Sequence, residues 1–322
     1  TQRHRWDIPE EFHYDAWIAE ETCGQLSDYA GKGENFFLWA SFFDPHPPYL
    51  VPEPWDQMYD PAKIAVPGIS PGEHEANPPH FAMTQEASPD FSALKESGFG
   101  IHGYNSHVHD RDEMAQNIAV YYAMVSLMDK YIGQILDRLE SAGLADNTLV
   151  VFTTDHGHLF GQHGMIAKGG FHYEDLIRLP YIVRAPGQVA PGKRSTALQS
   201  LIDLPVTFLR WAGIEVPRSM VGVDQGPVWR GESAMARDHC VVENRHEPTT
   251  IHIKTYVEDR FKLTVYFQHD YGELFDLLED PGEIRNLWDS PEHQALKAEL
   301  TRKLLFAEMG KEPLWMPRIS GA

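Results

Sequence analysis

The stretch LVVFTTDHGHLFGQHGMIAKGG, residues 149–170, carries a fold signal and a chemical one. Its first four residues are apolar without alternation, as in a strand buried on both faces. Asp155, His156, His158, His163 and Lys168 follow, set among five glycines, and a second apolar run, LPYIVRA, comes at residues 179–185. In open parallel sheets ligands gather where loops leave the carboxyl ends of strands, and Asp155-His156 stand at such an end. Carboxylate and neutral imidazole both bind divalent cations. Gly157 lets the chain turn away at once, and Lys168 offers a charge to a phosphate or sulfate oxygen. Each residue also has an ordinary reading: a turn aspartate, a hydrogen-bonded histidine, a solvated lysine. His158 and His163 read first as supporting residues, since a zinc site with His156 would lack cysteine and any known spacing.

Working outward, Met114, Ile118, Tyr121, Val125, Met128, Ile132, Ile135 and Leu139 recur at spacings of four and three. That predicts a long amphipathic helix, ended by Gly143. Residues 147–154 and 179–185 predict strands, and residues 202–214 a helix with Pro205 in its first turn. Strands alternating with helices predict a mainly parallel sheet covered on both faces. Upstream, residues 12–30 predict a short helix ended by Gly31 and Gly33. NFFLWASFF, residues 35–43, predicts another strand buried on both faces, running into DPHPPY with His46 between prolines. Residues 52–110, rich in Pro and Gly, read as a long surface excursion whose histidines shape a pocket mouth; loops of that length are commonly functional. After about Gly222, HCVVENR, TIHIKTYVE and FKLTVYF predict an antiparallel sheet. GELFDLLEDPGEIRNLW turns back, and residues 291–309 predict a closing helix. The expected organisation is an α/β domain over 1–222, incomplete at its N-terminus, and a C-terminal α+β subdomain over 223–322.

With 322 residues, 42% of them hydrophobic, the chain can bury a sizeable core. A net charge of −20 argues against a nucleic-acid partner, and mildly against highly sulfated polymers as substrates. Cys23 and Cys240 form no CxxC pair. No apolar run approaches the roughly 20 residues that span a bilayer, so no membrane partner is expected. Compartment stays open between cytoplasm and periplasm or exterior, and oligomeric state is not addressed. TQRHRWDIPEEF at the start reads as the middle of a longer chain.

In combination the motifs are specific. FFLWASFFDPHPPYLVPEPWDQMYDP, the long helix, LVVFTTDHGHLFGQHGMIAKGGFHYEDLIRLPYIVRAPG and ELFDLLEDPGEIRNLW resemble the sulfatase family of the alkaline-phosphatase superfamily, over about residues 35–288. The resemblance implies an alkaline-phosphatase-like, mainly parallel sheet flanked by helices, with a small C-terminal antiparallel α+β subdomain. It implies hydrolysis of a small-molecule or sugar sulfate ester at a divalent cation, most often Ca2+, with Mn2+ or Mg2+ as alternatives. Asp155 and His156 match the family's metal ligands, Lys168 the lysine on the sulfate, and His46 the histidine of the HxP turn. Either of the last two could stabilise or protonate the leaving oxygen. The Asp-His form also occurs in relatives that cleave phosphonate monoesters and phosphodiesters. The family's nucleophile is a formylglycine in a CxPSR-type segment upstream of the HxP turn. This chain has none, and Cys23 in ETCGQLSD lacks the flanking residues. The expectation is therefore the C-terminal part of a sulfatase, with a phosphonate or phosphodiester hydrolase as the second reading. The third reading is an inactive remnant that binds an anion or a partner.

Overall fold

The computed structural model describes residues 3–94, 102–245 and 251–311. In chain order the strands are β1 Arg3–Arg5, β2 Tyr49–Val51, β3 Val150–Thr153, β4 Leu159–Phe160, β5 Ile166–Ala167, β6 Tyr181–Arg184, β7 Cys240–Arg245, β8 His252–Val257, β9 Phe261–Tyr266 and β10 Gly272–Asp276. The helices are α1 Tyr14–Lys32, α2 Pro79–Met83, α3 Arg111–Ser141, α4 Glu174–Ile177, α5 Asp203–Trp211, α6 Gly226–Arg230 and α7 Gln294–Lys311. They fall into two compact units. One holds Thr1–Pro67, His109–Val150 and Arg184–Gly187; the other holds Gly68–Val108, Val151–Val183 and Gln188–Ala322.

In the first unit, the helix expected over 12–30 is α1. Its cap is His13, whose ring Nδ1 accepts the Asp15 N–H at 3.2 Å, and it stops at Gly33 in the left-handed region, φ 65°. The periodic helix is α3. Its first turn is satisfied by the Asp110 carboxylate, which accepts the Glu113 N–H at 2.9 Å, and Asp112 and Glu113 suit the positive end of the helix dipole. Leu26 of α1 packs with Leu139 of α3 and Ala145, and Phe36, Leu38 and Ile135 press on this cluster. Burying a Leu or Phe fully contributes on the order of 1.5–3 kcal/mol, so this seam is a main source of cohesion between the helices. β1 pairs parallel with β2, Arg3 opposite Tyr49.

The strand expected over 35–43 is absent. Phe36 and Leu38 turn onto the helices, while Phe37 and Trp39, on the alternate side, are 66% and 68% exposed. The run is apolar on both faces, as the sequence implies, but strand hydrogen bonds need a neighbour at the edge, and none pairs with it among the described residues.

In the second unit, the expected antiparallel sheet forms in the order β10-β9-β8-β7, with Ile253 opposite Tyr266 and Leu263 opposite Leu274. Thr250, in the sequence run before β8, lies outside the described residues. The tail motif does more than turn back, because its GELFD segment is the fourth strand. Asn286 fastens the return: its side-chain oxygen accepts the Leu274 and Trp288 N–H groups at 3.0 Å, and its amide donates to Gly272 O at 2.9 Å. Leu300 and Leu304 of α7 pack on Leu263, Leu274 and Tyr256. β3 and β6 pair as a two-stranded sheet.

The surface excursion over 52–110 is corrected in its second half. Phe81, Phe91 and Tyr104 belong to the buried core with Phe171, Tyr173 and Phe275, and His80 and His107 are buried too. Residues without periodicity can still fill a core when isolated aromatics act as anchors and the backbone is satisfied locally, as by the His107 N–H on Thr84 O at 2.7 Å. Among the described residues no helix is long and apolar enough to cross a membrane.

Candidate functional site

β3 delivers Thr154 and Asp155 at its carboxyl end, and a short hairpin brings the chain back. β4 pairs antiparallel with β5, Leu159 opposite Ala167 and Phe160 opposite Ile166. The turn needs left-handed backbone at Gly161, His163 and Gly164, and Ala167 leaves it at φ 65°. This fold-back places Lys168, twelve residues on, against His156. Gly157 is obligatory for another reason. Its N–H donates to Leu176 O at 2.8 Å, and a Cβ there would stand 1.9 Å from Asp175 O. The strand end is thereby pressed onto α4.

The polar groups then converge. One Asp155 oxygen, Oδ1, accepts the His156 N–H at 2.9 Å and lies 3.3 Å from the Thr154 hydroxyl. The His156 Nδ1–H donates to Gly157 O at 2.8 Å, since a carbonyl can only accept. Its Nε2 therefore presents a lone pair, which accepts from the Lys168 ammonium at 2.9 Å, with Asp155 Oδ2 3.3 Å away. Fixing the tautomer through the other ring nitrogen is how proteins prepare a histidine ligand. The side chains of His156 and Asp155 are 38% and 78% exposed, so the donors open to solvent. One carboxylate oxygen and one imidazole nitrogen at this separation fit a divalent cation. Two donors fall short of the 6 to 8 oxygens around calcium, or the four ligands of zinc.

His163 is no ligand to such a cation. It is buried, with Nδ1 at 2.5 Å from Glu73 Oε1 and Nε2 at 3.3 Å from Asp175 Oδ2, and it stacks on Tyr173 at 3.6 Å. Burial opposes its charge, but hydrogen bonds and attraction from Asp175 and Glu73 prevail and raise it to about 9. His163 is thus an imidazolium clamp within the hairpin. Nothing in the sequence marks this charge, because Glu73 lies 90 residues away. His158 lies against Phe160, ring centroids 4.7 Å apart. His46 belongs to the other unit, where its Nδ1–H donates to Pro47 O at 2.6 Å and its ring lies 5.1 Å from that of Phe43. The structure thus assembles Asp155, His156 and Lys168, and holds His163 apart between Glu73 and Asp175.

Neither cysteine fits a formylglycine precursor. Burial pushes both thiols up; Cys23 Sγ lies 3.7 Å from Gln134 O on the helix seam, and Cys240 Sγ 3.5 Å from Gln199 O. A cluster the sequence reading did not assign is His13, Asp15 and Asp44, whose side chains meet inside the first unit. Their only sequence signal is the Asp of the DPH turn.

Comparison with known proteins gives this arrangement a setting. The sulfatase family model matches residues 1–214, and the model for the C-terminal part of N-sulphoglucosamine sulphohydrolase matches residues 161–309. The chain is 27% identical over 318 residues to the multifunctional alkaline phosphatase superfamily protein PehA of Trinickia caryophylli, covering 92% of this chain and 60% of that one. It is 34% identical over 191 residues to an N-acetylglucosamine-6-O-sulfatase of Bacteroides thetaiotaomicron, covering 57% and 34%. Among solved structures, a phosphonate monoester hydrolase from Silicibacter pomeroyi superposes with a TM-score of 0.81 at 27% identity, covering 96% of this chain and 62% of that one. The chain therefore spans between a third and two thirds of the length of these relatives, and its fold is the α/β alkaline-phosphatase-like one.

Proposed function

The chain belongs to the sulfatase family, and from that premise we propose that it supplies the metal-and-sulfate half of a hydrolase acting on an organic sulfate ester. The observation that carries this is the convergence of Asp155 Oδ2, His156 Nε2 and Lys168 Nζ at one strand end. Asp155 and His156 would hold a divalent cation, calcium by family preference, which when bound draws charge from the ester oxygens. The Lys168 ammonium, now resting on His156, is free to swing to an anionic oxygen once the imidazole lone pair is engaged elsewhere. There it would stabilise charge that grows as the ester bond breaks. The resemblance gives His46 the role of stabilising or protonating a leaving oxygen; since its Nδ1–H is committed to Pro47 O, only the doubly protonated ring would have an Nε2–H to give. His158 and His163 act as supports. No nucleophilic step is derived from this chain, since neither Cys23 nor Cys240 fits one. The name of the Bacteroides relative supports a sugar sulfate as substrate.

A second reading, hydrolysis of phosphonate monoesters, is favoured by the likeness to the Silicibacter enzyme and by the name of the multifunctional relative. Sulfate and phosphonate share size and tetrahedral shape, so one site can take both. Parallel assays on an aryl sulfate and an aryl phosphonate monoester separate the readings. Turnover of the phosphonate alone would refute the sulfatase reading, and turnover of neither by metal-saturated protein would leave an anion-binding remnant.

A further inference from the structure

We propose that Asp15 and Asp44 share a single proton as a carboxylic acid–carboxylate pair, and that this pair anchors the turn presenting His46 to the start of α1. The side chains of both residues are 0% exposed, and beyond each other and the Tyr14 hydroxyl no group among the described residues bonds their four oxygens. Together with His13 they offer ligand atoms within 4.8 Å of one another. Two bare carboxylates at such a distance in a dry interior are prohibitively costly, so something positive must lie between them. Among the described residues no Lys or Arg pairs with either.

His13 cannot supply the charge. Its Nδ1 accepts the Asp15 N–H, so that nitrogen carries no proton, and burial holds the imidazole down at about 4. Its Nε2–H lies 4.0 Å from Asp44 Oδ2 and beside the Leu50 carbonyl. The same tautomer argues against a metal ion, because the nitrogen facing the pocket holds a hydrogen and not a lone pair. Two carboxylates and the Tyr14 hydroxyl would remain, a poor set for any divalent cation. The other titratable neighbours are Tyr14, raised by burial first and then by Asp44 and Asp15, Tyr131, raised by burial first and then by Glu10, and Glu10 itself, which is already held by Lys130, Trp55 and Tyr131. A proton is the remaining counter-charge. It turns two acceptors into one O–H···O⁻ bond; burial holds both carboxyls above their usual range, and repulsion from Asp15 adds to the rise at Asp44.

The mechanical link is short. Asp44 is buried, and two residues on His46 is exposed, its N–H on Phe43 O at 3.2 Å while the Phe43 ring meets Tyr14 edge-on at 5.5 Å. Loss of the proton would drive the carboxylates apart and loosen the turn. This positioning role rests on the function proposed for His46, whereas the shared proton does not.

The test compares the full chain with Asp44→Asn, whose amide imitates the protonated partner. The wild type should show the infrared carbonyl band of a protonated carboxyl near neutral pH, and the variant should lack it. Because the folded state keeps a proton that the unfolded chain releases, stability is highest at low pH and falls as pH rises toward and past neutrality. The fall is about tenfold in the folding equilibrium per pH unit per proton. The variant's Tm should not share that fall. If Asp44→Asn does not fold, the wild-type band and Asp15→Asn decide. Absence of the band, or parallel Tm profiles, would overturn the proposal. So would a divalent cation retained in an Asp155→Ala protein and lost with Asp44→Asn. For His46, whose own deprotonation lowers kcat in both proteins, wild-type kcat should drop more steeply on the alkaline side than that of Asp44→Asn, while KM holds. The same kcat profile in both would overturn the anchoring role, and absence of all turnover would count against the hydrolase reading alone.

Discussion

Replacing His163 by Gln should remove a pH-dependent share of stability that can be sized in advance. The imidazolium sits between Glu73 and Asp175, and its affinity for the proton rises from 6.5 to about 9 on folding. At about 1.36 kcal/mol per pH unit, that favours the charged, folded form by roughly 3 kcal/mol. Asp175 is 39% exposed, so its part is screened and the figure is an upper one. The contribution is complete below the unfolded value and is lost as pH climbs through the folded value. Between about pH 6.5 and 9 the folded state binds one more proton than the unfolded chain, and stability falls by roughly 1.4 kcal/mol per unit. Urea unfolding of wild type and variant at several pH values measures this. The wild-type advantage should be greatest near about pH 6 and should shrink by roughly 3 kcal/mol toward pH 10. A difference that stays constant with pH would show His163 to be neutral in the folded state, and the clamp would be wrong.

Other expectations follow from the same geometry. Lys168→Ala should lower turnover about 10²- to 10³-fold, the scale for losing one charge-stabilising donor, with Tm nearly unchanged because the side chain is only half-buried. Unchanged turnover would remove it from the site. Asp155→Asn should weaken divalent-cation binding by tenfold or more in direct titration, on the order of the loss expected when a ligand charge is deleted. Gly157→Ala forces a methyl group to within 1.9 Å of Asp175 O. The strand end must shift, costing about 1–3 kcal/mol in unfolding experiments as for other overpacked sites, and weakening cation binding with it.

The elements that follow local patterns were legible without coordinates. The four-three spacing over Met114 to Leu139 specified α3, and the runs HCVVENR and FKLTVYF specified β7 and β9. The DHG and Lys168 motif named a candidate site by residue type and order, and the structure brings those three side chains together. Patterns of this kind are read over one or two turns, and so they survive translation from sequence to structure. The run NFFLWASFF failed because a strand is a property of two chains, and its character alone supplied no partner. Residues 68–108 failed for the opposite reason: Phe81, Phe91 and Tyr104 enter the core as single anchors that no period announces.

What the sequence determined by itself was the order of elements, the composition of the site and the family to which these belong. Only the tertiary structure decided the states of the ionisable groups. His156 presents a lone pair because Gly157 O takes its one ring proton; His163 holds a charge because Glu73 comes from 90 residues away; Asp15 and Asp44 face each other with no Lys or Arg paired to them among the described residues. Residue type is local, but desolvation and the direction of hydrogen bonds depend on everything packed around a group. That is why the same amino acid, histidine, is a candidate ligand, a clamp and a neutral cap within one chain.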